Sequence, residues 1–210
     1  MKYLLLRKTF ETFFGYGCFL SKVSGRKRVE RGASVVRAGD STDSLYILLS
    51  GRAKVTNTDE DGREIILAWL GPSEFFGEMG LIDGSPRSAN VVAAEPCELL
   101  FLSKESFQRC LQDNFQEAQK LMKTLVLRLR EADRKIESLA LLDVYGRVAR
   151  LLLDMSEVVE GRRVIKKKMS KQDMAKMIGA SREMVSKVMR DLELSGYIRI
   201  ENDLTVIPGA

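Results

Sequence analysis

Hydrophobic periodicity along the chain changes twice. From about residue 28 to 102, apolar residues come in short runs broken by Gly, Asp and Ser. Val35-Val36 precedes Ala38-Gly39-Asp40, and Leu45-Tyr46-Ile47-Leu48-Leu49 runs into Ser50-Gly51. Residues 52–58 alternate, Asp59-Glu60-Asp61-Gly62 is a hairpin turn, and residues 64–70 form a third run. Residues 91–94 and 99–102 supply two more. Short runs spaced at about ten residues predict the strands of a sandwich or jelly roll.

Over residues 114–142 the period becomes helical. Apolar residues fall at Ala118, Met122, Leu125, Leu129, Ala132, Ile136 and Leu139, at alternating spacings of four and three. That is a heptad seam with charged flanks, and it predicts one long helix. The seam can pack on the chain's own roll or against a second copy; the 3.5-residue period favours a parallel homodimer. In that register Arg128 takes position g and Asp133 position e, which allows an interchain pair between them.

A third regime starts near Asp143. Residues 144–157 read as an amphipathic helix and residues 162–169 as a basic connector. Ser170-Lys171-Gln172-Asp173 is a capping box with Asp in the Glu position. The helix it opens runs to Ile178 and stops at Gly179, and Ser181 caps the next, residues 182–194. Two short helices around a glycine turn read as helix-turn-helix. Ser195-Gly196-Tyr197-Ile198-Arg199-Ile200, the turn Glu201-Asn202-Asp203 and residues 204–207 then make a β-hairpin wing. The fold class is therefore α+β. Residues 1–21 form an atypical N-terminal segment, 22–113 a β-roll, 114–142 a dimerisation helix and 143–210 a winged helix-turn-helix domain.

Composition narrows the chemistry. The chain has 210 residues, a formal charge of +5, three cysteines and no histidine. Cys18, Cys97 and Cys110 form no CxxC pair, so neither a disulfide framework nor a thiolate metal site is expected. Lack of histidine removes the commonest general base, His-ligated zinc and His-ligated haem. No apolar run reaches membrane-spanning length. Tyr3-Leu4-Leu5-Leu6 hints at a signal peptide, but Arg7 and Lys8 cut it short, and a short helix packed on the domain is expected instead. A cytoplasmic protein is expected. Charge is concentrated between Arg162 and Arg190, where ten basic residues face only Asp173 and Glu183. Beside a helix-turn-helix, that footprint suits a phosphate backbone.

The densest signal lies in residues 76–89, FGEMGLIDGSPRSA, where Glu78 precedes the pair Arg87-Ser88 by nine residues. Glu can accept from a ribose hydroxyl, while an Arg fork, a Ser hydroxyl and turn N–H groups can hold a phosphate. The run resembles the phosphate-binding cassette of cyclic-nucleotide-binding domains. In the second domain, Ser181-Arg182-Glu183-Met184-Val185 is similar to the Ser-Arg-Glu-x-Val of the cyclic-AMP receptor protein family. The resemblance runs from about residue 22 to 207 and passes through Leu141-Leu142-Asp143-Val144.

This resemblance implies a ligand-gated transcription regulator, not an enzyme. It places Glu78 on the ribose 2′-hydroxyl and Arg87 and Ser88 on the cyclic phosphate, with Gly77 and Met79 beside them. Arg182, Glu183 and Lys187 would read base edges, and Ser170, Lys171, Gln172 and Ser181 would complete the DNA-binding set. Lys187 stands where the family often has Arg, so its base preference is open. At the base end of the ligand, the positions that carry Thr and Ser in cyclic-AMP-responsive relatives hold Ala132 and Asp133. Ala132 cannot bond a base; Asp133 can accept from adenine or guanine amino groups, or only bridge to Arg128. Cyclic AMP is the first expectation, with cyclic GMP, cyclic di-GMP or loss of nucleotide control as alternatives.

The expected partners are a two-fold site on double-stranded DNA, a second copy of the chain and RNA polymerase. The short connection over residues 157–161 speaks against polymerase contact through that surface. Neither the iron–sulfur nor the haem chemistry of related sensors fits, because only Cys18 lies near the N-terminus and histidine is lacking. Cys97 and Cys110 are expected as packing residues. Two other readings stay open: a nucleotide-responsive module whose winged helix docks a protein, and an architectural DNA binder that needs no ligand.

Overall fold

The computed structural model describes residues 22–159, 161–166, 169–201 and 204–208. The expected N-terminal helix, Cys18, Lys167, Lys168 and the turn residues Asn202 and Asp203 lie outside them. The chain divides into two compact units, with the boundary after Arg128.

The first unit is built from eight strands in two antiparallel sheets. The strands are β1 (Gly25–Val29), β2 (Ser34–Val36), β3 (Ser44–Ser50), β4 (Ala53–Thr58), β5 (Glu64–Leu70), β6 (Phe75–Phe76), β7 (Asn90–Ala93) and β8 (Cys97–Ser103). One sheet runs β1-β8-β3-β6 and the other β2-β7-β4-β5. Leu48, Leu99, Phe76, Val36, Leu70 and Val91 belong to one buried cluster. The opposite side of β3 and β8, through Leu45, Ile47, Leu100 and Leu102, packs on Phe107, Cys110 and Leu121. Both sides of β3 are therefore covered, which explains why it reads as a continuous apolar run without alternation. The β4–β5 turn is organised by Asp59, whose carboxylate accepts from the Arg63 backbone N–H at 2.9 Å and Nε at 2.8 Å. These bonds, led by the backbone N–H, hold its pKa below the ordinary carboxylate value.

Several elements were not expected from sequence. Strands β1 and β6 and two helices, α1 (Met79–Asp83) and α2 (Lys104–Asp113), are additional. Cys97 is free and buried, and burial pushes its thiol pKa up. Cys110 is buried in the other cluster and disulfide-bonded. That corrects the expectation that it serves packing alone; with no CxxC pair in the chain, no local spacing announced the bond.

Helix α3 (Phe115–Leu141) follows, close to the expected bounds. It carries two stripes. Leu121 and Leu125 pack on the roll, whereas Met122, Leu129, Ile136 and Leu139 are exposed.

The second unit contains α4 (Val144–Met155), α5 (Lys171–Ile178) and α6 (Arg182–Leu194). Their core is Val148, Leu152, Met174, Ile178, Val185, Val188 and Leu192. Here the connector expected over residues 162–169 is corrected. Strand β10 (Arg162–Ile165) pairs with β9 (Glu157–Val159), and the wing strands β11 (Arg199–Glu201) and β12 (Leu204–Ile207) complete a sheet ordered β11-β12-β10-β9. Exposed Arg162 and half-buried Arg163 disguise a strand whose Ile165 enters the core. Helix α4 accordingly ends at Met155, two residues before the expected end, and Ser156 donates its N–H back to the Leu153 carbonyl. The wing begins at Arg199 rather than Ser195, because Gly196 turns the chain with φ 76°.

Candidate nucleotide pocket and DNA-reading helix

The cassette loop starts where β6 ends. Tyr46 and Ile47 pair with Phe76 and Phe75, and the chain then turns through Gly77 at φ 86°. A side chain there would collide with Arg87 Nη1 and approach the Ser44 carbonyl at 3.1 Å, so the position needs glycine twice over. Glu78 leads into α1 and is only 3 % exposed. Helix α1 stops at Gly84 in the left-handed region, whose N–H returns to the Gly80 carbonyl. Thr42 Oγ1 donates to the Ser85 carbonyl at 3.1 Å and ties the returning loop to the roll.

Arg87 is the buried centre of this loop, at 6 % exposure. Its backbone N–H donates to the Asp40 carbonyl, and its own carbonyl accepts from Gly39. Its guanidinium donates through Nη1 to the Gly77 carbonyl at 2.9 Å and through Nη2 to the Ser44 carbonyl at 2.7 Å. Nη2 also lies 3.5 Å from the exposed Asp43 carboxylate, and the Tyr46 ring centroid is 5.8 Å from the guanidinium. Two main-chain carbonyls thus clamp the fork. A fork has five N–H donors, so the same group retains capacity for an anion. Ser88 is exposed, and its hydroxyl donates to the Met79 sulfur at 3.6 Å. Gly77, Glu78, Met79, Arg87 and Ser88 are therefore brought together.

Arg128 takes a different role from the one its sequence position suggests. Arg128 donates Nη1 to Glu78 Oε1 at 2.6 Å and Nη2 to the Phe75 carbonyl at 2.5 Å. Its guanidinium also lies 4.6 Å from the centre of the Phe75 ring. The heptad register allowed Arg128 an interchain pair with Asp133; within its own chain Arg128 is bonded to Glu78. The signal was present at Leu121, Leu125 and Arg128, spaced four and three apart. That stripe was masked because it shares Leu125 with the heptad seam and ends in a charge. Ala132 and Asp133 are exposed positions on α3 in the second unit.

In the second unit the reading surface is positioned by its caps. Ser170 Oγ accepts from the Asp173 N–H at 3.0 Å and bonds the Asp173 carboxylate at 2.9 Å. Gly179 ends α5 in the left-handed region, and Arg147 Nη1 donates to the Ile178 carbonyl at 2.8 Å. Ser181 Oγ accepts from the Met184 N–H at 3.2 Å and starts α6. With Val185, Val188 and Leu192 buried, Arg182, Glu183, Lys187 and Arg190 are exposed. Ser170, Lys171, Gln172 and Ser181 are exposed as well. Lys166 pairs with Glu157 at 3.0 Å, so part of the basic footprint is balanced locally. No helix among the described residues is long and apolar enough to cross a membrane.

A roll carrying a buried Glu and Arg in a phosphate-type loop, joined to a winged helix-turn-helix, defines a cyclic-nucleotide-binding transcription regulator. Sequence comparison agrees: the cyclic nucleotide-binding domain family matches residues 26–114, and the Crp-like helix-turn-helix domain family matches residues 146–208. The cAMP-activated global transcriptional regulator Vfr of Pseudomonas aeruginosa is 34% identical over 194 residues, covering 88% of this chain and 89% of Vfr. A CRP-like cAMP-activated global transcriptional regulator of Mycobacterium tuberculosis is 31% identical, covering 84% and 81% of the two chains. Among solved structures, the c-di-GMP responsive global regulator CLP of Xanthomonas campestris superimposes with a TM-score of 0.77 at 30% identity, covering 97% of this chain and 100% of CLP. The chain belongs to the CRP family of transcription regulators.

Proposed function

We propose that this chain is a homodimeric regulator, located in the cytoplasm, that binds a two-fold DNA site when cyclic AMP occupies the roll. The observation that carries the reading is the buried Glu78, which lies in the cassette and is bonded to Arg128 of α3. A ribose hydroxyl arriving at Glu78 shares a carboxylate already held by the long helix. A cyclic phosphate arriving beside it takes the Ser88 hydroxyl and the remaining N–H groups of Arg87. The ligand thus acts on the group that ties α3 to the roll, and its differential affinity for the two settings of that link shifts the equilibrium. Dimerisation uses the exposed stripe of Met122, Leu129, Ile136 and Leu139. The two α6 helices then enter successive major grooves about 34 Å apart.

Cyclic AMP is favoured because Vfr is named as cAMP-activated. A second reading has its own support: CLP is named as c-di-GMP responsive. RNA polymerase is a further proposed partner.

Calorimetric titration with cyclic AMP, cyclic GMP and cyclic di-GMP, followed by footprinting with and without the bound nucleotide, tests the proposal. Protection of a two-fold site only with cyclic AMP is expected. Saturable binding of cyclic di-GMP alone would move the assignment to the second reading, and ligand-independent footprints would overturn nucleotide control. Absence of any footprint would instead favour a protein-docking role for the winged helix.

A further inference from the structure

We propose that Met184 is a specificity-determining residue of the reader helix, packing its thioether chain against the C5 methyl group of a thymine in the half-site. This deepens the reading of α6 as the base-contacting helix and rests on it. Met184 lies in the first turn of α6 and is 44 % exposed, whereas Val185, Val188 and Leu192 are buried in the core. The Ser181 cap on its N–H holds that turn in place. Met184 follows Glu183 and stands three residues before Lys187. On a helix surface, residues three and four apart are neighbours, so Glu183, Met184 and Lys187 make one exposed patch.

The chemistry of the major groove then limits what Met184 can contact. Base edges present donors and acceptors to which Glu183 and Lys187 can bond. A thioether chain matches only the one apolar group displayed there, the thymine methyl. Turned towards a phosphate, it would take polar oxygens out of water without supplying a donor. A preference for thymine follows at one position per half-site, next to a base pair contacted by Glu183 or Lys187.

Base-analogue substitution tests this directly. A two-fold site is selected from random duplexes with the full chain and cyclic AMP. Each thymine is then replaced by deoxyuridine, which removes only the methyl, and each guanine by 7-deazaguanine, which removes the N7 acceptor. Deoxyuridine at one symmetry-related position should weaken binding about fourfold per half-site, the worth of one buried methyl group. Met184→Ala should bind thymine and deoxyuridine duplexes equally at that position, and Met184→Leu should restore the discrimination. Deoxyuridine silent everywhere, or a loss that persists in Met184→Ala, overturns the Met184 assignment while leaving base reading intact if 7-deazaguanine still weakens binding. Should both analogues be silent, base reading by α6 fails and this proposal falls with it.

Discussion

The cassette of the roll and the proposed reader helix place their candidate functional side chains in opposite ways. In the second unit, Arg182, Glu183 and Lys187 project outward from a helix held by a buried stripe, so the reading surface and the core are separate sets of residues. In the roll, Glu78 and Arg87 are themselves buried, and their partners are main-chain carbonyls and an arginine fifty residues away. Function and stability are therefore divisible in one unit and coupled in the other.

The sharpest way to break this contrast is Arg87→Ala. Removing the guanidinium strands the Gly77 and Ser44 carbonyls, so the roll should lose about 3 kcal/mol as well as nucleotide binding. Denaturant unfolding alongside ligand titration would reveal it; unchanged stability would refute the coupling. Arg182→Ala is the counterpart. It should weaken DNA binding by about 1–3 kcal/mol at one base pair with stability unchanged within about 0.5 kcal/mol, measured by binding to site variants and thermal unfolding.

Ser181→Ala should fall between these, costing about 1 kcal/mol of stability through the lost cap and weakening DNA binding through the loosened first turn of α6. The smallest effect concerns Asp59, exposed in the β4–β5 turn. Its folded pKa is lowered, first by the Arg63 backbone N–H, so its contribution is fully present above the unfolded carboxylate value and is lost as pH falls through the folded value. An NMR titration should show the Arg63 amide shifting at a pH below that of an unfolded peptide, and Asp59→Asn should abolish the step.

The same contrast explains what could be read in advance. Ser170, Gly179 and Ser181 act on N–H and C=O groups within a few residues, so caps and turns announced both helices of the helix-turn-helix, α5 and α6. The strands of the roll were marked by runs and glycine turns, except where charge disguised them, as at Arg26, Lys27 and Arg28, or where brevity did, as at Phe75–Phe76. Arg128 escaped because its meaning depends on Glu78, which the sequence places fifty residues away, while the heptad seam offered it a nearer role.

Sequence alone thus determined the order of roll, long helix and winged helix and the capped pair of helices in the second unit. All of these follow from periodicity, capping and turn chemistry acting over short chain distances. Tertiary structure alone decided that Arg87 is clamped by the carbonyls of Gly77 and Ser44, that Glu78 is held by Arg128, and that residues 162–165 form a strand. Those arrangements come from burial and hydrogen bonding between segments far apart in the chain, where an otherwise unsatisfied polar group selects its partner by proximity in the fold.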